Sequence, residues 1–358
     1  MSQTTRTGLK WLVGVALGIL FMWLAALDWP LDRLFGAGLS LHGTVLSSGQ
    51  AWAFDMVYLV PYFGVLSAIH FLRVIRWYPL LRPLADVDFK RLNRVSAVGF
   101  MYLFLLPLRL GELARPYLIA DRGDIKMTQA LATVVVERVV DGLIVSIALF
   151  IVLTGLPGDA EATSELRLGA WLALAVFGGA LLVLLAGWKF RTWTLTTLDR
   201  LIRPVSAAIA TKVRNILQAF FEGLEGLPHP RYFWSFVGWS MVYWALNGYG
   251  YYVLALGFEG LHIPLLAAYA MMCCVVVGMM LPNPPGNVGV FWYFLLKPLT
   301  LYGVAVGDPT ATAFGLMAWF GQFVQQTGFG LWFTLRGRSE RNASKAPGGS
   351  ARVATDPP

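Results

Sequence analysis

The feature that most constrains this chain is a series of apolar runs long enough to cross a membrane. A spanning helix needs about 20 predominantly apolar residues to cross roughly 30 Å of hydrocarbon. Only 13% of the 358 residues are charged, against about 25% in an average soluble domain. Six suitable runs are Trp11–Leu27, Trp52–Leu72, Gln129–Thr154, Gly169–Gly187, Phe233–Gly257 and Ala311–Leu335. The sequence therefore predicts an all-α, polytopic membrane helix bundle with about six spanning helices and no soluble domain.

The basic residues predict the orientation of the bundle. Lys and Arg in short loops concentrate on the cytoplasmic side of a membrane. If the six runs span and both termini are cytoplasmic, all but four of the 28 Lys and Arg residues fall on that side. The exceptions are Arg33, Arg138, Arg167 and Lys297. We therefore expect a multi-pass protein of the inner membrane with both termini in the cytoplasm.

Two further apolar stretches are broken by Pro and Gly. Val95–Leu108 is too short for a span and ends beside Pro107, so we expect it to dip in from the cytoplasm and return. The second stretch, Ile263–Leu301, begins and ends outside. At its centre lie Pro282, Asn283, Pro285, Gly286, Asn287 and Gly289.

These stretches suggest an internal repeat. The predicted halves, about 52–154 and 232–335, each hold a helix, a broken re-entrant hairpin and another helix. Inverted repeats with broken helices are a recurrent transporter design. The alternative is that Pro and Gly only kink ordinary spans.

Two segments complete the predicted organisation. The segment 188–231 joins the halves, and apolar residues recur in it at helical spacing from Leu198 to Leu224 among basic residues. This pattern predicts an amphipathic helix on the inner leaflet. Residues 1–335 are then one integral membrane domain, and 336–358 are predicted to be a disordered basic cytoplasmic tail.

Charged residues inside apolar segments are costly, so they are usually functional or paired. Spacing by three places Arg109, Glu112 and Arg115 near one helical face. The spacing of four between Glu137 and Asp141, with Arg138 beside them, does the same in the third predicted span. The first group has a net positive charge and the second has a net negative charge, so we expect the two groups to neutralise one another. Whether they serve transport or only stability stays open.

At these residues the sequence resembles the lysylphosphatidylglycerol synthase transmembrane-region family, the flippase-like integral membrane proteins. The matching motifs are Arg73-Val74-Ile75-Arg76-Trp77, Pro-x-Arg-x-Gly-Glu-x-x-Arg from Pro107 to Arg115, Glu137-Arg138-x-x-Asp141, and the Pro/Gly run from Pro282 to Gly289. The resemblance implies passage or handling of lipids or polyprenyl-linked lipids between leaflets. It also adds Arg73 and Arg76 to the candidate charge network. The soluble aminoacyl-transferase domain found in some members is missing from this sequence.

Amides supply a second candidate site. Gln322, Gln325 and Gln326 lie on one face of the last predicted span, and Asn247 lies in a neighbouring one. Together with Asn283 and Asn287 they form either a polar pathway or interhelical hydrogen bonds.

Three function classes fit these features. The leading hypothesis is a lipid translocase, with arginines that hold phosphate through their planar fork. The alternatives are a membrane-embedded transferase and a non-transporting accessory subunit of envelope-lipid biosynthesis. Asp86-Val87-Asp88 resembles a glycosyltransferase acidic pair, but the loop around it has no room for a nucleotide-binding fold.

The expected partners are membrane lipids and, as a further candidate, a lipid-biosynthetic enzyme, with no nucleic acid. No P-loop occurs, and the four histidines are far apart, so we expect no cofactor, no metal and no catalytic residue.

Overall fold

The computed structural model describes residues 37–41, 44–47, 52–155, 164–204, 206–224, 229–280, 284–305 and 307–345. Within these ranges the chain forms eleven α-helices, several short 3-10 helices and one small sheet. The predicted all-α class is confirmed. The first predicted span, Trp11–Leu27, lies outside the described residues, as do Pro282 and Asn283.

The helices differ widely in length, from six residues to 37. They are α1 (Leu59–Leu81), α2 (Phe89–Leu105), α3 (Ala114–Ile119), α4 (Met127–Thr154), α5 (Ser164–Lys189), α6 (Arg191–Ile202), α7 (Ala207–Gly223), α8 (Pro230–Ala255), α9 (Leu265–Met279), α10 (Val290–Leu296) and α11 (Pro309–Lys345).

Two segments of the described chain combine the length and the apolarity that a membrane span needs. They are Met56–Leu81 and Arg167–Lys189. The apolar helix α9 is shorter. Helix α4 has 28 residues, which is long enough, but it carries Glu137, Arg138 and Asp141 in its interior. Because of these charged residues, α4 is not among the segments that are apolar enough for a span by composition.

The predicted span Trp52–Leu72 is displaced along the sequence. Trp52–Asp55 is a strand, β3, which pairs in parallel with β1 (Ala37–Leu41), and β1 pairs antiparallel with β2 (Thr44–Ser47). A short apolar stretch such as Trp52–Asp55 fits a strand as well as the start of a helix, so hydropathy alone does not separate the two. The Asp55 carboxylate accepts a hydrogen bond from the Val57 amide at 3.0 Å and caps the turn that leads into α1. The helix then continues to Leu81 and carries Arg73 and Arg76 into the bundle.

A proline and a glycine fold the first broken stretch back on itself. Leu106 is extended, with ψ 138°, as expected for a residue before proline. A 3-10 helix, Pro107–Leu113, and α3 then return against α2. We call Phe89–Ile119 the first hairpin. A β-carbon on Gly111 would overlap the backbone at Tyr102 and Leu103, so only glycine allows this close return.

The second broken stretch also folds back, and we call Leu265–Tyr302 the second hairpin. Helix α10 and the 3-10 helix Lys297–Tyr302 pack against α9. Gly286 and Gly289 have φ values of 69° and 81°, which side chains rarely adopt. The glycines of the Pro/Gly run therefore have a conformational reason to be there.

Each half of the chain packs against helices of the other half. Helices α1 and α8, the first of each half, pack against each other. The first hairpin packs through α2 on α11, and the second hairpin packs through α9 on α4. The two hairpins also touch where their helices are broken. Each hairpin thus lies against the last helix of the opposite half.

The connecting segment differs from its prediction in one respect. Instead of one helix from Leu198 to Leu224, it forms α6 and α7, separated at Pro204. Proline cannot continue the hydrogen-bond ladder, and Ser206 caps the new helix by accepting from the Ile209 amide at 3.4 Å. Helix α7 packs on α4, where Gly223 lies against the Gln129 backbone.

The last helix also extends further than predicted. Helix α11 continues to Lys345, so the first part of the segment predicted as a disordered tail, 336–358, is helical. Arg, Glu, Ala and Lys in this part are adequate helix formers and extend a helix that packing has already nucleated. Residues 346–358 lie outside the described part of the chain.

The first hairpin provides a test of the fold. Gly111→Ala should open the hairpin and lower the melting temperature of the detergent-purified protein, because backbone atoms cannot move aside for a methyl group. Gly178→Ala in α5 is the matched control, since nothing lies within 4 Å of its added β-carbon. A similar melting temperature for both variants would contradict the close backbone contact.

Candidate functional site

Arg76 is the centre of a buried ion-pair network. Its Nη1 donates to Asp141 Oδ1 at 2.5 Å and its Nη2 donates to Asp141 Oδ2 at 2.7 Å. The same Nη2 donates to Glu137 Oε1 at 2.7 Å. Arg76 is 1% exposed, and Glu137 and Asp141 are equally buried. Such a fork-to-carboxylate arrangement is among the stronger hydrogen-bonded pairs, and it joins α1 to α4.

Arg115 brings the first hairpin into the same network. Its Nη1 lies 3.2 and 3.1 Å from the two carboxylate oxygens of Glu137. The guanidinium stacks over the rings of Trp77 and Phe100, at 4.1 and 4.9 Å from their centroids. A β-carbon on Gly99 would overlap the Arg115 side chain, so this glycine leaves room for it. The buried ion pair between Arg115 and Glu137 therefore holds the first hairpin against α4.

Arg138 and two residues of α8 complete the network. Arg138 Nη2 donates to Glu137 Oε1 at 2.6 Å and lies 3.5 Å from Asp141 Oδ2. Trp244 Nε1 donates to Asp141 Oδ1 at 2.9 Å, and the Ser240 hydroxyl accepts from Arg76 at 3.3 Å. Each carboxylate thus has several donors, which offsets the cost of burying its charge.

Arg109 lies apart from Arg115, at the break in the first hairpin. It pairs with Glu112 at 2.5 Å and donates to the Met279 carbonyl at 2.6 Å. Met279 is the last residue of α9, where carbonyls lack helical partners. Arg109 and Glu112 pair across one turn, as their spacing of three predicts, whereas Arg115 pairs with Glu137 on α4.

The backbone at both hairpin breaks is left-handed. Arg109 has φ 57° and Asn287 has φ 56°, and no other described non-glycine residue has a positive φ. This conformation costs of order 1 kcal/mol or more outside glycine and often marks a functional site. Both residues line one cavity. The strained positions of the two halves therefore meet at the same place.

The cavity is lined by charged groups and by amides. The charged groups are Arg73, Arg109, Arg138 and Asp141. The amides are Asn247, Asn287, Gln322, Gln325 and Gln326. Its volume for a water-sized sphere is about 130 Å³, and one water needs roughly 10–15 Å³ by this measure. The predicted charge network and the predicted polar helix face thus meet at one cavity that is large enough for several water molecules.

Three of the amides that line the cavity also form hydrogen bonds with other residues. Gln326 Oε1 lies 3.5 Å from Arg73 Nη1. Gln322 Nε2 donates to the Tyr251 hydroxyl at 3.1 Å, and Asn247 Nδ2 donates to the Tyr243 carbonyl at 2.7 Å. Gln322 and Gln326 therefore combine interhelical bonding with polar lining, whereas Asn247 bonds within its own helix, α8.

The remaining predicted site residues of the second hairpin shape its backbone. The Gly286 carbonyl accepts from Trp319 Nε1 at 2.7 Å. Pro285 begins the short 3-10 helix that ends at Asn287, and Gly289 precedes α10. Pro282 and Asn283 lie outside the described residues.

Ser240, Tyr243 and Trp244 are site residues that sequence reasoning missed. The Tyr243 ring lies 4.4 Å from the Arg76 guanidinium carbon, and Trp244 bonds Asp141. With Asn247 these residues follow the three- and four-residue spacing of one helix face. That polar stripe within an apolar run is the signal that identifies them.

The site carries more positive than negative charge. Its arginines are Arg73, Arg76, Arg109, Arg115 and Arg138, and its carboxylates are Glu112, Glu137 and Asp141. Two positive charges remain in excess. Among the described residues no cluster of His, Cys, Asp and Glu is suited to a metal ion.

Arg91, near the start of the first hairpin, holds the chain where it leaves the end of the hairpin. It donates to the Ile119 carbonyl at 2.5 Å and to Asp124 Oδ1 at 2.8 Å. The hydrogen bond from Arg91 lowers the pKa of Asp124 below its ordinary value. Because the folded-state pKa is depressed, the clamp stabilises the fold above the unfolded pKa. That contribution is lost as the pH falls through the folded pKa.

The buried network predicts an asymmetric response to one substitution. Asp141→Asn removes the main partner of buried Arg76 and should cost about 3–5 kcal/mol, because it leaves an uncompensated charge. The melting temperature in detergent measures the loss. Asp86→Asn is the matched control, since the Asp86 side chain is 78% exposed beside Arg82 and such pairs contribute little. Equal losses for both variants would contradict the central role of the network.

Comparison with known proteins agrees with the geometry. A search of curated proteins finds no match to this chain. The family model described as the lysylphosphatidylglycerol synthase TM region matches residues 11–327, which include the network, both hairpins and the cavity. The chain therefore belongs to the lysylphosphatidylglycerol synthase TM region family, and it is a membrane protein.

Proposed function

We propose that this chain translocates a lipid or a polyprenyl-linked lipid across the inner membrane. The observation that carries the proposal is the cavity lined by Arg73, Arg109 and Arg138, in a site with an excess of positive charge. Charge buried in a membrane domain is expensive and usually serves transport or pairing. Arg76, Arg109, Arg115 and Arg138 each contact a carboxylate, but the five arginines of the site share three carboxylates. The remaining positive charge is available to an anionic headgroup.

The three cavity arginines are suited to phosphate. A guanidinium has five donors in a planar fork that matches phosphate oxygens. Arg73 is held over the Phe100 ring at 3.6 Å, and Arg138 is held by Glu137. Arg109 is fixed by Glu112 and by the end of α9. Their positions are set before any ligand enters, which reduces the entropy cost of binding.

The hairpins support an alternating-access mechanism. In transporters with inverted repeats, broken helices meet near the bilayer midplane and provide backbone groups for cargo. The exchanged packing partners of the two halves and the paired left-handed residues Arg109 and Asn287 favour this design. We therefore propose two re-entrant hairpins, six spans including Trp11–Leu27, and both termini in the cytoplasm.

Topology is testable by labelling. Single cysteines in the predicted outer loop, 155–168, should react with a membrane-impermeant maleimide on intact spheroplasts. The native Cys273 and Cys274 are buried and should give a low background. Labelling that requires permeabilisation would contradict the inverted repeat.

Two alternatives remain, a transferase and an accessory subunit. The acidic pair that suggested a transferase has structural roles here. Asp86 pairs with Arg82, and Asp88 accepts from the Lys90 amide at 3.1 Å as the N-cap of α2. We therefore propose transport without catalysis by this chain. An accessory role predicts that purified protein in liposomes moves no lipid until a biosynthetic enzyme is added.

The headgroup clamp is tested by Arg109→Lys. Lysine keeps the charge and loses the fork. Loss of one charged hydrogen bond corresponds to roughly tenfold or more in rate, with the melting temperature nearly unchanged. The assay measures the movement of a fluorescent phosphatidylglycerol in liposomes. Arg82→Lys, in an exposed pair, is the control. If the Arg109→Lys variant moves lipid at the parental rate, Arg109 does not hold the headgroup.

A further inference from the structure

Helices α6 and α7 follow directly on a segment with the composition of a membrane span. Helix α5 contains the apolar segment Arg167–Lys189, and little of that segment is covered by the described part of the chain. Only Phe190 separates α5 from α6. One residue extends a chain by at most about 3.5 Å, so a spanning α5 places the start of α6 at the membrane boundary. We call Arg191–Gly223 the α6–α7 hairpin.

The two helices run antiparallel and have a polar groove between them. Residues from the start of α6 and from the end of α7 line this groove together. Its polar lining residues are Arg191, Thr192, Thr196, Arg214, Gln218 and Glu222. One side of the hairpin is therefore polar.

Large apolar side chains outside this groove are exposed. Trp193 and Leu201 on α6 are 69% and 67% exposed, and Ile209 and Ile216 on α7 are about half exposed. Spacings of eight and seven residues place each pair on one face of its helix. None of the four lines the groove. Because tryptophan is enriched at membrane–water interfaces, Trp193 is suited to the level of the lipid headgroups.

The hairpin and the residue before it also carry an excess of positive charge. Between residues 189 and 214 there are six basic residues and one acidic residue, Asp199. Asp199 pairs with Arg203 at 3.3 Å, and Lys212 and Arg214 are exposed. Each Lys or Arg near an anionic membrane surface strengthens binding roughly fivefold. Apolar residues beside basic ones are typical of helices that lie on anionic leaflets.

The same hairpin holds the first turns of α4. A β-carbon on Gly223 would overlap the Gln129 backbone, so the two helices are in close contact there. The Glu222 carboxylate accepts from Gln129 Nε2 at 3.1 Å. Glu137 of the buried network lies about two turns further along α4. The position of the hairpin is therefore tied to the position of the network.

We propose that the α6–α7 hairpin binds anionic lipid headgroups at the membrane surface, and that this contact stabilises the position of α4. The sequence pattern predicts only an amphipathic helix on the inner leaflet. The basic residues select an anionic surface, Trp193 and the exposed isoleucines enter it, and the contact at Gly223 carries the effect to α4. Lipid binding by this hairpin does not depend on the proposed translocation, because it requires no lipid movement.

Depth measurements test which side of the hairpin meets the bilayer. The full chain carries one nitroxide, at Ile216→Cys or at Gln218→Cys, in nanodiscs of phosphatidylcholine alone or mixed equally with phosphatidylglycerol. The native Cys273 and Cys274 are buried and should take little label. In the mixed nanodiscs we expect the Ile216 label to collide more with oxygen, and less with a water-soluble nickel complex, than the Gln218 label. It should also lie deeper there than in phosphatidylcholine alone.

Two results of the depth measurement would overturn the proposal. Equal access of the nickel complex to the Ile216 and Gln218 labels would place both sides in water. An Ile216 label that neither oxygen nor the nickel complex reaches would show that protein, and not lipid, covers this face.

Melting temperatures test the choice of lipid. We expect the full chain to melt at a higher temperature in the mixed nanodiscs than in phosphatidylcholine alone, and high salt should reduce the difference. The double variant Lys212→Gln, Arg214→Gln should also reduce it, because two charges correspond to roughly 25-fold in surface affinity. Lys90→Gln with Arg122→Gln, at exposed positions outside the hairpin, is the charge-matched control and should keep the difference.

Gly223→Ala separates lipid binding from its effect on α4. The added methyl group disrupts the contact with Gln129. The Ile216 label should still enter the bilayer, while the melting temperature no longer rises with phosphatidylglycerol. Gly178→Ala, with nothing within 4 Å of its added β-carbon, is the control. A rise that Gly223→Ala leaves unchanged would overturn the link to α4.

The outcomes also differ from those that test translocation. Equal melting temperatures of the parent chain in the two kinds of nanodisc, or equal losses from the two charge variants, would overturn the proposal even if liposomes show rapid lipid movement. The expected depths and melting temperatures in a chain that moves no lipid would uphold it and reject translocation.

Discussion

The structure depends on the contact of one arginine with two carboxylates in the interior of the bundle. Arg76 reaches Asp141 and Glu137 at 2.5–2.7 Å, and none of these residues is more than 1% exposed. Removing any of them strands a charge where water cannot reach it. The network links α1, α4 and α8 and receives the first hairpin through Arg115. It therefore fixes the elements that build the cavity before the cavity has any ligand.

On this foundation the two hairpins form the part of the site that faces the cavity. Helices broken by Pro and Gly free backbone groups, and the protein satisfies some of them with side chains, from the opposite half in one case and from the same half in the other. Arg109 takes the last carbonyl of α9, and Trp319 takes the Gly286 carbonyl. A broken helix is tolerated in a membrane only where such partners or a polar cavity replace the lost bonds. Here both conditions hold at one place, which explains why strain, amides and arginines coincide.

The sequence predicted the helical class and the breaks in both apolar stretches, and the charged residues that it singled out lie together in the structure. These predictions succeed because a charge, a proline or a glycine inside an apolar run is costly and leaves a local signal. The prediction that the second span begins at Trp52 was wrong, because an apolar strand has the same hydropathy as the start of a helix. The split at Pro204 was readable in principle. The neutralisation of the two charged groups was also predicted, and Arg115 pairs with Glu137. The left-handed backbone of Arg109 was not readable, because it depends on contacts between distant segments.

The central claim is that the surplus positive charge of this site exists to hold a phosphate inside the cavity. The most direct measurement is a cryo-EM structure of the full chain in nanodiscs that contain phosphatidylglycerol. We predict a lipid phosphate inside the cavity at hydrogen-bond distance, about 3 Å, from Arg109 or Arg138. Lipid phosphates found only on the outer surface of the bundle, with the cavity arginines bonded to protein and water alone, would contradict it.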